Sequence, residues 1–170
     1  MALTVAGIAT ALITTAGVAG AGQTQTISYQ VVPSRTISVG ATTSVNIGEI
    51  SRTSSKNTAG GTLTYSTDNS SPDKITVGIN SQPATGVTLE VSAGAIGGCT
   101  GAGDTKGIPV SNVDISTAFT GLGPADLITG IEAPSGSSCT SALTYSLITD
   151  GAATNTSPVS KTVTYTIQAA

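Results

Sequence analysis

The sequence predicts an all-β protein, an antiparallel β-sandwich of immunoglobulin-like or jelly-roll type, with a hydrophobic segment at its N-terminus. Three observations lead there. Beyond residue 22 apolar and polar residues alternate with period two in runs rich in Thr, Val, Ile and Tyr, the pattern of strands that bury one face. Gly, Pro, Asn and Asp break these runs every ten residues or so, which is the spacing of turns in a sandwich, roughly 8–12 residues. No helical period appears after residue 22.

The elements follow in chain order. Residues 1–22 carry no charged side chain, and Ala19-Gly20-Ala21 has the small-x-small form that precedes a signal-peptidase cut. Residues 1–21 are therefore expected to be a secretory signal, with the membrane met only during export. The alternative is a retained helix over residues 1–22 in a polymer core. Residues 24–32 place Ile27, Tyr29 and Val31 on one face and Thr26, Ser28 and Gln30 on the other, and Pro33 ends the run. Strands are expected at 35–39 and 43–50, with Ile37, Val39, Val45 and Ile47 inward, followed by a polar loop over 51–61. Three cleaner strands come next at 61–67, 74–80 and 86–92. Their inward sets are Leu63 and Tyr65; Ile75, Val77 and Ile79; and Val87, Leu89 and Val91. The Gly-rich stretch 93–125 predicts irregular structure with a short strand inside 108–119. Strands at 127–132, 142–148 and 161–168 bring the total to eight or nine. The sequence Leu-Thr-Tyr-Ser occurs at 63–66 and 143–146, and Val163-Thr-Tyr-Thr166 is close to both; Thr and Tyr suit strands, which explains the recurrence without a duplication.

Composition removes most catalytic classes. The chain of 170 residues has no histidine or tryptophan, is 9% charged and 3% aromatic, and carries a formal net charge of −3; Gly, Ser and Thr fill about two-fifths of its positions. Without histidine there is no Ser-His-Asp or Cys-His nucleophile system and no imidazole metal site. Six basic residues scattered singly give no footprint for nucleic acid or anionic membrane. Cys99 and Cys139, an even pair in a chain expected to be exported, are expected to form a disulfide. No metal site or cofactor is expected, since two cysteines this far apart cannot complete a tetrahedral centre.

The remaining candidates are weak chemistry. A Ser-Lys dyad would need Lys56, Lys74, Lys106 or Lys161 desolvated beside a serine, and solvated surface lysine is the expectation for each. Glu49, Glu90 and Glu132 are too poorly supplied with aromatic platforms to suggest a sugar site. Asp68, Asn69, Ser71 and Asp73 offer calcium-type oxygens but lack the Gly and bidentate Glu of an EF-hand loop, so an Asx-rich turn is expected. Asn69 and Asn155 fit the N-glycosylation sequon. Asp150-Gly151 predicts a turn.

An exported, disulfide-bearing, Ser/Thr/Gly-rich sandwich resembles secreted β-sandwich pilus and fibre subunits of the donor-strand-exchange kind. Residues 22–32 look like a donor strand, the alternative being that they are the first strand of their own domain, and residues 162–167 are similar to the closing strand of such pilins; the cysteine positions depart from the chaperone-usher pattern. The resemblance implies a structural, non-enzymatic subunit of an extracellular filament. It would form a head-to-tail homopolymer by strand complementation and take no small-molecule substrate or nucleic acid. Two alternatives are kept: a type IV-like pilin with residues 1–22 as its core helix, and a cell-adhesion or binding module whose groove would draw on Phe119 and four tyrosines.

Overall fold

The computed structural model describes residues 28, 30, 32–40, 48, 50–118, 122–133, 135–153 and 159–170. The expectations for the signal segment, for Ile27, Tyr29 and Val31, for the strand at 43–50 with Val45 and Ile47, and for Glu49, Phe119 and Asn155 lie wholly or almost wholly outside them. Nine strands run along the described chain: β1 (Arg35–Gly40), β2 (Ser55–Thr67), β3 (Asp73–Ile79), β4 (Val87–Gly98), β5 (Thr105–Pro109), β6 (Val113–Asp114), β7 (Ala125–Glu132), β8 (Cys139–Thr149) and β9 (Val163–Ala169).

These strands form two antiparallel sheets packed face to face, a β-sandwich. One sheet has five strands in the order β1-β2-β8-β4-β6, the other four in the order β5-β7-β3-β9. From β2 onward each connection passes from one sheet to the other, so the even-numbered strands join β1 in one sheet and the odd-numbered strands from β3 make up the other. The contacts group Val32–Ala170 into one compact unit; Met1–Val31 forms the other, in which only Ser28 and Gln30 are described.

The period-two pattern places the core. Leu63 and Tyr65 on β2, Ile75, Val77 and Ile79 on β3, and Leu89 and Val91 on β4 are all buried, as their alternation requires. Val39 was expected inward beside Ile37, yet it is 37% exposed, and Ile37 is only half-buried. Both lie on the edge strand β1, where the second sheet does not fully cover them.

Two regions expected to be loops are strand. β2 begins at Ser55 inside the expected 51–61 loop and pairs with β8 from Ser55↔Ile148 to Ala59↔Thr144. Its side chains there are mostly exposed, so backbone pairing is formed without hydrophobic alternation to announce it. The register then shifts between Ala59 and Thr62. Gly61 has φ of +90°, and a Cβ on Gly60 would stand 2.6 Å from the Tyr145 ring; the bulge needs both glycines. In the stretch 93–125, β4 continues to Gly98 and β5 follows where irregular structure was expected, while β6 is a short strand inside 108–119, as expected. Ala and Gly carry most of the β4 extension over 93–98, and side-chain patterning cannot register it.

The disulfide Cys99–Cys139 is formed, with Cα atoms 4.8 Å apart, and both cysteines are buried. It joins the end of β4 to the start of β8 within one sheet, next to the pair Gly98↔Cys139. Between its halves the chain makes β5, β6 and β7, so the bridge closes a loop that contains half of the four-stranded sheet.

Candidate functional site

A β-sandwich exposes four edge strands, and each presents unpaired N–H and C=O groups to any chain able to pair with them. Here the edges are β1 and β6 in one sheet and β5 and β9 in the other. Two are blunted. β6 is only two residues long. β5 contains Lys106, Gly107 at φ +86° and Pro109, and a proline has no N–H to donate to a new neighbour.

The opposite flank is different. β9 runs for seven residues, Val-Thr-Tyr-Thr-Ile-Gln-Ala, with no charge, proline or glycine. Thr164, Thr166 and Gln168 are exposed, while Val163, Tyr165 and Ile167 are half-buried against the core. β9 pairs with β3 along its whole length, from Asp73↔Ala169 to Ile79↔Val163; among the described residues no strand pairs with its other side. Among the described residues β1, the neighbouring edge, is paired only with β2 and lies beside β9. Ile37 and Val39 of β1 therefore share this flank with Val163, Tyr165 and Ile167. Among the described residues this apolar row stays only partly covered.

A polar cluster fixes one end of the flank. The Arg35 guanidinium donates from Nε to Asp73 Oδ2 at 2.9 Å and from Nη2 to Asp73 Oδ1 at 2.8 Å, a bidentate pair. Asp73 also accepts from Thr67 Oγ1 at 2.7 Å and from Asn69 Nδ2 at 3.0 Å. Its side chain is fully buried while that of Arg35 remains 27% exposed. Burial pushes the Asp73 carboxyl up, but the bonds from Arg35, Thr67 and Asn69 outweigh it and hold it below the usual carboxylate range. Next to it, Ser34 donates its N–H to Asp68 Oδ1 and accepts at its carbonyl from the Asp68 N–H. The point where the chain enters β1 is thus clamped to the β2–β3 loop. No sequence pattern singled out Arg35; an isolated acid at the head of an apolar strand, Asp73, was the available signal.

The four candidate calcium ligands are spent on this clamp and on its Asx turn, where Ser71 N–H bonds Asn69 Oδ1 at 3.2 Å. Asn69 is half-buried, and its Nδ2, the atom a glycan would occupy, donates to Asp73. Among the described residues no group of three His, Cys, Asp or Glu is placed to hold a metal ion.

The other candidates are dispersed. Lys74 pairs with Asp126 at 3.0 Å. Lys161 Nζ donates to Ser81 Oγ at 2.9 Å and to the Gln82 carbonyl at 2.8 Å on the exposed surface. Glu90 and Glu132 belong to different sheets. The tyrosines of the repeated tetrapeptides all turn inward. Tyr65 donates to the Lys106 carbonyl at 2.8 Å, and the Tyr145 and Tyr165 hydroxyls share a hydrogen bond of 2.7 Å between the sheets. Burial pushes both of those phenols up, so they stay neutral and bonded.

No family model matches the chain, and neither the curated proteins nor the solved structures provide a match. Among the described residues no helix is long and apolar enough to cross a membrane. The formed disulfide fits an oxidising compartment.

Proposed function

We propose that the chain is a structural subunit of an extracellular filament, a pilus or fibre, in which residues 22–32 of one copy complete the sandwich of another. The observation that carries this reading is the edge of β9, unpaired among the described residues, beside half-buried Val163, Tyr165 and Ile167, on a protein whose opposite described edges are blunted. Natural sandwiches cover or charge a long flat edge because an open one recruits other chains. A protein that polymerises has a use for such an edge. The alternation of Ile27, Tyr29 and Val31 supplies a strand with one apolar face, and strand addition provides main-chain hydrogen bonds together with side-chain contacts. Small uncharged side chains over most of the surface suit repeated packing. In this reading the chain is not an enzyme, needs no cofactor, and has itself as partner.

Deletion of residues 22–32 from the otherwise intact chain tests the reading. The truncated protein is expected to unfold cooperatively, to keep its disulfide and to remain monomeric by light scattering. A synthetic peptide of residues 22–32 should bind it one-to-one without restoring fibres. Fibres of normal length from the truncated chain, seen by negative-stain microscopy, contradict the reading.

A further inference from the structure

We propose that Asp104 is a positioning residue for the disulfide. By fastening the β4–β5 loop to the β7–β8 loop it keeps Cys99 turned towards Cys139 in the reduced, folded chain, so that the pair is set for oxidation by a small disulfide such as oxidised glutathione. The proposal is independent of the filament reading.

The strand ladder brings the two backbones together but does not aim the side chains. β4 and β8 stay paired up to Gly97↔Thr140 and Gly98↔Cys139, and the Cys99 N–H bonds the Ser138 carbonyl at 3.0 Å. Where the Cys99 side chain points is set by its own backbone angles, and there it is unusual. Cys99 has φ of +51°, directly after Gly98 at +72°. A residue with a Cβ is disfavoured in this left-handed region, and among the described non-glycine residues only Cys99 and Asn112 adopt it. Once formed, the bridge itself can hold Cys99 there. In the reduced chain the surrounding loop has to do so.

That loop is closed on itself and tied to its neighbour by one carboxylate. The Asp104 N–H bonds the Gly101 carbonyl at 3.2 Å, and the Gly101 N–H bonds Asp104 Oδ2 at 3.1 Å. Across the gap, Asp104 accepts from the Ser135 N–H at 3.2 Å and from Ser135 Oγ at 2.6 Å. Ser135 Oγ in turn accepts from the Ser137 N–H at 3.3 Å and lies 2.8 Å from Ser137 Oγ, which carries the grip to within two residues of Cys139. The bonds from Ser135 hold the Asp104 carboxyl below the usual carboxylate range, so it is an ionised acceptor at neutral pH. The two loops approach so closely that a Cβ on Gly101 would run into Ser135. Oxidation then proceeds through a mixed disulfide. The thiolate of Cys99, the less deeply buried of the pair at 6% against 0%, attacks oxidised glutathione and releases one glutathione thiolate. The Cys139 thiolate attacks the Cys99 sulfur, releases the second and closes the S–S bond. Both electrons end on glutathione, and the two thiol protons pass to the released thiolates. The second attack requires Cys99 to face Cys139, and this is the step that Asp104 serves.

Equilibration of the full-length protein in glutathione buffers of fixed composition tests this, with the oxidised and reduced fractions trapped by acid and counted by intact mass after thiol alkylation. Asp104→Ala is expected to lower the ratio of oxidised to reduced protein about tenfold, the scale set by returning one residue from a left-handed φ to an ordinary one. Ser135→Ala keeps the Ser135 N–H bond and loses the hydroxyl, and should fall between wild type and Asp104→Ala. Thr149→Val is the control. It removes the Thr149 hydroxyl bonds to Ser51 and Ser54 at the far end of β8, so it weakens the fold without touching these loops, and its ratio should stay within about twofold of wild type, because a change felt equally by both redox forms cancels. A wild-type ratio in both Asp104→Ala and Ser135→Ala would show that the ladder alone aligns the cysteines and overturns the proposal. An equal fall in Thr149→Val would show that the ratio follows overall stability, and overturns it too. So does a reduced wild-type chain with no cooperative urea transition, since it offers no folded dithiol to align.

Discussion

Replacing Cys99 and Cys139 together by alanine is expected to cost roughly 4 kcal/mol of stability, the chain-entropy value for closing a loop of about 40 residues. The sequence separation of the bridge is 40, and that loop carries β5, β6 and β7. β7 is the neighbour of β3, and β5 reaches the sheet only through β7. Freeing the loop raises the entropy of the unfolded chain and so lowers the stability of the whole sandwich. Urea unfolding of the alanine variant should fall to a lower midpoint, and reductant should bring the wild-type protein close to it. Reductant that leaves the wild-type midpoint where it was would show that the bridge contributes nothing.

Arg35→Ala is expected to cost roughly 3 kcal/mol at neutral pH, towards the low end for breaking a buried pair because the guanidinium keeps some access to water. The loss comes mainly from Asp73, left charged with only Thr67 and Asn69 as donors. The pH dependence has a definite sign. The folded Asp73 carboxyl titrates below the usual range, so the unfolded chain binds the proton more readily. Its contribution is complete above the unfolded pKa of about 3.9 and fades as pH falls through the lower folded value. The gap in urea midpoint between wild type and Arg35→Ala should accordingly be widest near pH 7 and shrink below pH 3. A gap that is constant with pH would mean that the charge on Asp73 is not what Arg35 serves.

How far the sequence speaks depends on which part of a strand carries the information. Where side chains alternate, as at Ile75, Val77 and Ile79 or Leu89 and Val91, strand and inward face were both legible, because burial of one face is what selects the pattern. Where backbone pairing alone makes the strand, as at Ser55–Ala59 and Ala93–Gly98, nothing in the side chains distinguishes ladder from loop. The cysteine pair was legible from parity and expected compartment. The Arg35–Asp73 clamp was not, since it joins strands of two sheets through residues 38 apart in sequence, and only the folded topology brings them together. The edge position of β9 among the described strands was half legible: its alternation was plain, but an edge is a property of sheet order, which local pattern does not encode. Val39 is the instructive miss, an inward position by alternation whose covering layer the described sandwich does not supply.

Amide hydrogen exchange on the full-length protein tests the account most directly. Wild-type fibres are compared with the full-length variant Ile27→Asp/Tyr29→Asp, in which two charges would have to be buried without partners and assembly should stop. Strand complementation predicts slow exchange across Val163–Ala169 in the fibres and markedly faster exchange there in the variant, with Thr105–Pro109 on the blunted edge unchanged. Equal protection of β9 in both proteins, or fibres that form normally from the variant, would contradict it.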